Sequence, residues 1–301
     1  MGLPCTKPAS HHAGFTLVEL IVVIVISGAL GMVVSQMIQR PVESYQAQSR
    51  RAGLVDIADT ALRRMSRDLR DALPNSVRVG CSGRCLEFLR ASSGGRYRAK
   101  PANNPFSLNF DPSRSDTSFE VLGFLNNTAS IQTGTSSSDC QQNRASCVVV
   151  YNTGLAGTDA YSMDNAATIT ALSTTPRIVI GFDNSGFSSG NTAFPASSPD
   201  QHFFVVDTPV TYLCDLSQGS IRRYQGYNIR AAHTSVDSHA ELKAQTNPAE
   251  DALLVDQITA CRFAYRPGTP TRNSLVSMEI TVQAQGEKIT LLQQAHVSNM
   301  P

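Results

Sequence analysis

Residues 15–38 read FTLVELIVVIVISGALGMVVSQMI, a run in which Glu19 is the only charge. As a helix rising 1.5 Å per residue it measures about 36 Å, more than the roughly 30 Å of a bilayer's hydrocarbon core. A secretory signal carries only about 7–15 apolar residues before a small-residue cleavage site. The run is too long for one, although Ala29-Leu30-Gly31 imitates such a site. A buried core helix of this length would show a polar face, and none is present. The stretch predicts one membrane span, Phe15–Ile38, near the N-terminus.

Outward from the span, the composition sets limits. The 301 residues are 41% hydrophobic and 16% charged, with a formal net charge of +1. That suits a chain with a packed core and not a disordered one. A near-neutral chain with 7% aromatics lacks both the basic balance and the stacking surface of a nucleic-acid binder, so no nucleic-acid partner is expected. Ahead of the span lie fourteen residues, MGLPCTKPASHHAG, with two prolines and one lysine. They show no apolar periodicity and read as a leader, residues 1–14.

Glu19 stands five residues into the apolar run with no Lys or Arg within a turn. A charge in the bilayer costs roughly 2.5–3.5 kcal/mol at the centre and less near an end. It either snorkels to the headgroups or meets a cation from another chain. A cut after Gly14 would supply such a cation as the α-amine of Phe15. Gly14-Phe15-Thr16-Leu17-Val18-Glu19 followed by a long apolar helix resembles the class III signal of type IV prepilins and type II secretion pseudopilins. The resemblance implies cleavage between Gly14 and Phe15 by a membrane prepilin peptidase/methyltransferase, N-methylation of Phe15, and pairing of Glu19 with a neighbouring subunit's N-terminus. Its implied partners are other pilins, met through their N-terminal helices, an inner-membrane assembly platform and the lipid bilayer.

Beyond Arg40-Pro41 the pattern turns amphipathic. Val55, Ala58, Leu62, Met65, Leu69 and Ala72 recur at spacings of three and four, a heptad-like stripe. Charges such as Arg63, Arg64, Asp68 and Asp71 fall on the other faces. The mixed signs argue against a lipid-surface helix and for packing on the chain's own β-domain. Leu73-Pro74 ends the helix, because proline disfavours the α-region in the residue before it. The amphipathic half is therefore residues 39–73. Within the span, Ser27, Gly31 and Ser35 form a small-residue ladder of the sort that lets helices approach closely.

Residues 74–301 take on strand signals: Leu86–Leu89, Phe119–Phe124, Val148–Tyr151, Arg177–Phe182, His202–Val206, Val210–Cys214, Ile221–Tyr224, Ile258–Tyr265, Leu275–Gln283 and Ile289–Val297. Polar stretches separate them, one holding a short helix near Ser238–Ala244. The fold class is α+β: one long helix on an antiparallel domain of about ten strands. Of seven cysteines, Cys5 leaves with the leader. The remaining six, Cys81, Cys85, Cys140, Cys147, Cys214 and Cys261, suit an exported, disulfide-bonded domain. Fifteen connectivities are open; proximity suggests 81–85, 140–147 and 214–261. Zinc is the alternative, but Cys81/Cys85 has no second compact pair.

No metal, cofactor or enzymatic activity is expected. Gly186-Phe187-Ser188-Ser189-Gly190 matches G-x-S-x-G, yet the proline-bearing segment after it cannot supply the helix of a nucleophile elbow. The histidines at 202, 233, 239 and 296 lack H-x-x-x-H spacing, and no Gly-Lys-Ser/Thr is present. Asp159–Asp164 and Asp183–Gly186 offer calcium-like oxygens, but neither follows the EF-hand pattern, and turn chemistry explains them equally.

The C-terminal half narrows the resemblance. Thr208-Pro209-Val210-Thr211-Tyr212-Leu213-Cys214-Asp215, Ala260-Cys261-Arg262-Phe263 and Tyr265-Arg266-Pro267-Gly268 resemble minor pilins of the mannose-sensitive haemagglutinin (MSHA) pilus biogenesis system, as do Arg40-Pro41-Val42-Glu43 and Ala61-Leu62-Arg63-Arg64-Met65. The resemblance implies a single-pass inner-membrane protein with a periplasmic C-terminal domain, moved to the cell surface in a pilus. Two other readings share much of this sequence. One is a J-type minor pseudopilin of type II secretion; the other is an adhesin or binding module that uses the helix only as an anchor.

Overall fold

The computed structural model describes residues 14–99, 104–187, 192–245, 248–268 and 272–301. Its first element is α1, Leu17–Arg70, continuous through Pro41. The chain divides within α1 into two compact units, Met1–Ala52 and Gly53–Pro301. In the first unit every apolar side chain from Phe15 to Ile38 is exposed, the surface expected of a segment whose solvent is lipid.

The second unit begins with the last turns of α1 and continues through twelve strands: β1 (Arg78–Gly80), β2 (Cys85–Tyr97), β3 (Ser118–Leu122), β4 (Cys147–Val150), β5 (Ala166–Ser173), β6 (Val179–Asp183), β7 (His202–Asp215), β8 (Ser220–Gln225), β9 (Glu250–Val255), β10 (Ile258–Arg266), β11 (Ser274–Ala284) and β12 (Glu287–Val297). A short helix, α2 (His239–Lys243), precedes β9, its first turn capped by Ser238. All pairings are antiparallel. Nine strands run in the order β1-β2-β3-β6-β5-β4-β7-β8-β9, and β10-β11-β12 form a separate meander.

Because β2 also pairs with β7, the strands β2-β3-β6-β5-β4-β7 close into a ring. Its interior is an aromatic and aliphatic core of Tyr97, Phe119, Val148, Ile169, Ile180, Phe182, Phe203 and Val205. Closure removes free edges from this half of the sheet. The other ends of β2 and β7 leave the ring and carry β1, β8 and β9 as an arm.

The arm and the meander share a second core with the helix. Leu54, Ala58, Ala61, Leu62, Met65 and Leu69 pack there with Phe88, Val210, Tyr212, Phe263, Met278 and Ile280. The buried stripe starts at Leu54 (5% exposed) and not at Val55 (39% exposed). Asp68 is also not on a solvated face. Its carboxylate accepts from Tyr212 Oη and Arg223 Nε, each at 2.7 Å, and so ties α1 to β7 and β8.

The helix ends at Arg70, three residues before the expected stop. The reason is strand pairing: Ala91 N–H donates to the Asp71 carbonyl (2.7 Å), Leu73 N–H donates to the Leu89 carbonyl (2.8 Å), and Ala72 bridges Arg90. His202–Val206 and Val210–Cys214, expected as two strands, are one. Pro209, which lacks an N–H, sits where β7 exchanges β4 for β8 on that side. A proline interrupts no ladder at such a position.

Candidate processing and assembly site

Gly14, Phe15 and Thr16 are non-helical and exposed, and α1 starts one residue later. Phe15 is 82% exposed, so the Gly14–Phe15 peptide bond stands clear of secondary structure on an accessible segment. Thr16 occupies the position before the first helical residue. Its Oγ1 accepts from Glu19 N–H at 3.3 Å, and its carbonyl accepts from Leu20 N–H at 3.2 Å.

Thr16-x-x-Glu19 has the spacing of a capping box, a signal in the sequence that the reading of Glu19 as a mere charge overlooks. A Thr cap is worth about 1 kcal/mol. A carboxylate in the first helical turn adds about 0.3–1 kcal/mol through the positive end of the helix dipole. The cap thus fixes where the helix begins and seats Glu19 one turn from the Gly14–Phe15 bond. Among the described residues no side chain pairs with the Glu19 carboxylate. Residues 1–13, the bulk of the leader, lie outside the described residues.

Among the described residues nothing packs on the small-residue ladder at its glycine: a Cβ built on Gly31 would meet no atom within 4 Å outside its own stretch of helix. Ser35 Oγ accepts from Gln39 Nε2 at 3.3 Å within the helix.

The family model of the prokaryotic N-terminal methylation motif matches residues 9–35. The chain carries a type IV prepilin/pseudopilin-class signal. The motif implies processing by a prepilin peptidase and interaction with other pilins, and with the apolar helix it fits membrane anchoring of the C-terminal domain. It is the mark of a structural class of protein. No curated protein matches the chain, and no solved structure does.

The six cysteines form three bonds: Cys81–Cys85, Cys140–Cys147 and Cys214–Cys261, with Cα separations of 5.4, 5.1 and 6.6 Å. The last joins β7 to β10, and hence the nine-stranded sheet to the meander.

The two acidic loops are turns. Asp183 Oδ1 accepts from Ser185 N–H (3.0 Å) and Oγ–H (2.6 Å). Asp159 accepts from Tyr161 N–H (3.1 Å), and Asp164 Oδ2 from Gly157 N–H (2.8 Å). Among the described residues no group of three or more His, Cys, Asp and Glu could hold a metal ion. Ser188 of the G-x-S-x-G string lies outside the described residues, Phe187 beside it is buried, and residues 192–199 are not helical.

Proposed function

We propose that the protein is a minor pilin of an MSHA-type pilus, cleaved between Gly14 and Phe15, N-methylated on Phe15, and assembled through α1. The observation that carries the reading is the segment Gly14–Glu19: an exposed, non-helical Gly-Phe bond, a helix capped at Thr16, and Glu19 in its first turn ahead of an apolar surface that none of the described residues covers. In this reading the Phe15–Ile38 half is held by the inner membrane and then by the helices of neighbouring pilins. The charge of Glu19 is neutralised by the α-amine of an adjacent subunit, which sets the register between them. Three disulfides support placing the rest of the chain in the oxidising periplasm. The bulk of residues 74–301 suits a minor subunit better than one repeated along a fibre.

The test is the intact mass of the protein recovered from cells with and without the prepilin peptidase. Peptidase-dependent loss of residues 1–14 with one methyl group on Phe15 is the expected result. An uncut Met1, or a cut near Gly31, overturns the reading. Glu19→Ala separates an assembly subunit from a simple anchor: the variant should stay in the membrane but fail to enter the pilus. Incorporation of the variant at the wild-type level would remove Glu19 from the assembly contact, and absence of both wild type and variant from the pilus, with both still in the membrane, would leave the anchored-adhesin reading in its place.

A further inference from the structure

Among the described residues β12 pairs with β11 and with no other strand. An unpaired edge invites a further strand, and folds guard such edges with short length, charge, proline, a bulge or a covering segment. The other sheet edges of this chain are guarded. β1 has three residues. β9 carries Glu250 and Asp251, and its pairing with β8 is bulged. The outer side of β10 is used by the chain itself: Ile258 N–H donates to the Gly219 carbonyl (2.8 Å) and Phe263 N–H to the Gly83 carbonyl (2.6 Å). β12 has none of these devices along its middle. It runs for 11 residues and keeps register with β11 from Glu287 to Val297 without a shift. It contains no proline, and from Ile289 to Ala295 it carries no charge. Among the described residues no backbone hydrogen bond leaves it on the outer side.

The helix stands beside this edge. A groove of about 400 Å³ lies between them, lined by Asp59, Arg63, Ser66, Arg67 and Arg70 of α1 and by Gln293 of β12. Alternate side chains of a strand share a face, and Gln293 is on the face of Ile289, Leu291, Ala295 and Val297, which packs into the core that α1 covers. The inward side chains of a strand laid along β12 would therefore enter the groove. Its polar groups are short of partners. Arg63, Arg67 and Arg70 recur at helical spacing on one face. Arg63 pairs with Asp59 at 2.5 Å. Arg67 and Arg70 are exposed, and among the described residues their side chains make no ion pair and no hydrogen bond. The Ser66 hydroxyl is buried with no partner, and the Gln293 amide bonds to no described residue. Two unpaired guanidiniums beside an open ladder select carboxylates, which they grip by charge-assisted hydrogen bonds. A second copy of this edge is the wrong occupant, because it would bring two sets of arginines together.

We propose that β12 accepts an extended acidic segment of another protein by strand addition, the segment's backbone extending the ladder and its inward carboxylates meeting Arg67 and Arg70. In such a contact the main-chain bonds give affinity and the alternate side chains give specificity. The surface lies wholly in the unit Gly53–Pro301 and is a protein contact separate from the apolar half of α1. The test uses the full chain in an uncharged detergent and follows the anisotropy of fluorescent peptides. The probes are an alternating Glu-Thr peptide, its Gln-Thr and Lys-Thr analogues, and the Glu-Thr peptide with its backbone amides N-methylated. The Glu-Thr peptide should bind, less tightly as salt is added. Each of the other three should bind at least tenfold more weakly. Arg67→Gln/Arg70→Gln should weaken the Glu-Thr peptide at least tenfold with the unfolding midpoint unchanged. Should the double change lower the midpoint, Arg67→Gln alone decides. Three results overturn the proposal. The first is no binding of the Glu-Thr peptide, including the case where heparin binds in its stead and marks a plain anion patch. The second is equal binding of the N-methylated peptide, which excludes strand addition. The third is wild-type affinity in the folded arginine variants. None of these touches cleavage at Gly14, so failure here and failure of the pilin reading are distinguishable.

Discussion

Arg78→Met should be among the most damaging single changes in the β-domain, and its cost should depend on pH with a definite sign. Arg78 and Glu87 face each other across β1 and β2. Glu87 is fully buried; its Oε2 accepts from Arg78 Nε at 2.7 Å and its Oε1 from Tyr227 Oη at 3.0 Å. The guanidinium also donates to the carbonyls of Ala231 and Arg230, both at 2.7 Å, and lies 3.6 Å from the centre of the Tyr161 ring. Removing the cation leaves a buried carboxylate without its counter-charge, which costs about 3–5 kcal/mol. For a domain of this size that lowers the melting temperature by about 6–20 °C.

Burial pushes the Glu87 pKa up, against the opposing effects of Arg78 and Tyr227. His233, 3.6 Å from the same carboxylate, is pushed down to about 4, by burial first and then by the charge of Arg78. In wild type the raised Glu87 contributes more stability as pH falls, and the depressed His233 contributes less below its unfolded value. Without Arg78 both pKa values rise, so the folded variant binds more protons than folded wild type while the unfolded states match. The penalty must therefore shrink on acidification. Thermal unfolding of the full chain followed by circular dichroism at pH 8 and pH 5, for wild type, Arg78→Met and Arg78→Met/Glu87→Met, tests this. The double variant should recover much of the loss, since no buried charge is left alone. A penalty under about 1 kcal/mol at pH 8, or one that grows on acidification, would refute the reasoning.

Two further expectations use the same assay. Replacing Cys214 and Cys261 by serine opens a link across a sequence separation of 47 and should cost about 4 kcal/mol on the chain-entropy model, against about 2 kcal/mol for Cys81 and Cys85; the reverse order would show that the short loop matters more to the folded state than to the unfolded one. Leu54→Ala should cost about 2–5 kcal/mol and Val55→Ala within about 0.5 kcal/mol; equal costs would place the helix in a different register on the sheets.

The long helix, its apolar half and the six disulfide-forming cysteines were legible from residues alone, because each rests on a local signal: an apolar run, a three-four spacing, an even count. Even there a small error of phase occurred, since Leu54 and Val55 are both apolar and only the sheets decide which one they cover. The capping box at Thr16 and Glu19 was equally local and equally visible. The ring was not. The Ala91–Tyr97 half of β2 reads as a polar loop, ASSGGRY, and β5, AATITALS, has only the three strand formers Thr168-Ile169-Thr170 between alanines. Both become strands because β7, β4 and β6 offer them partners, in β2's case more than a hundred residues away. The same long-range pairing stops α1 at Arg70 and sets Asp68 beside Arg223 of β8, while the pairing of β1 with β2 buries Glu87 against Arg78. Sequence by itself determined that this chain has an anchoring helix with a processing signal on its N-terminal side and an oxidised β-domain beyond it. Tertiary structure alone decided which polar residues face inward and where a groove opens, because those depend on contacts between strands that no local pattern encodes.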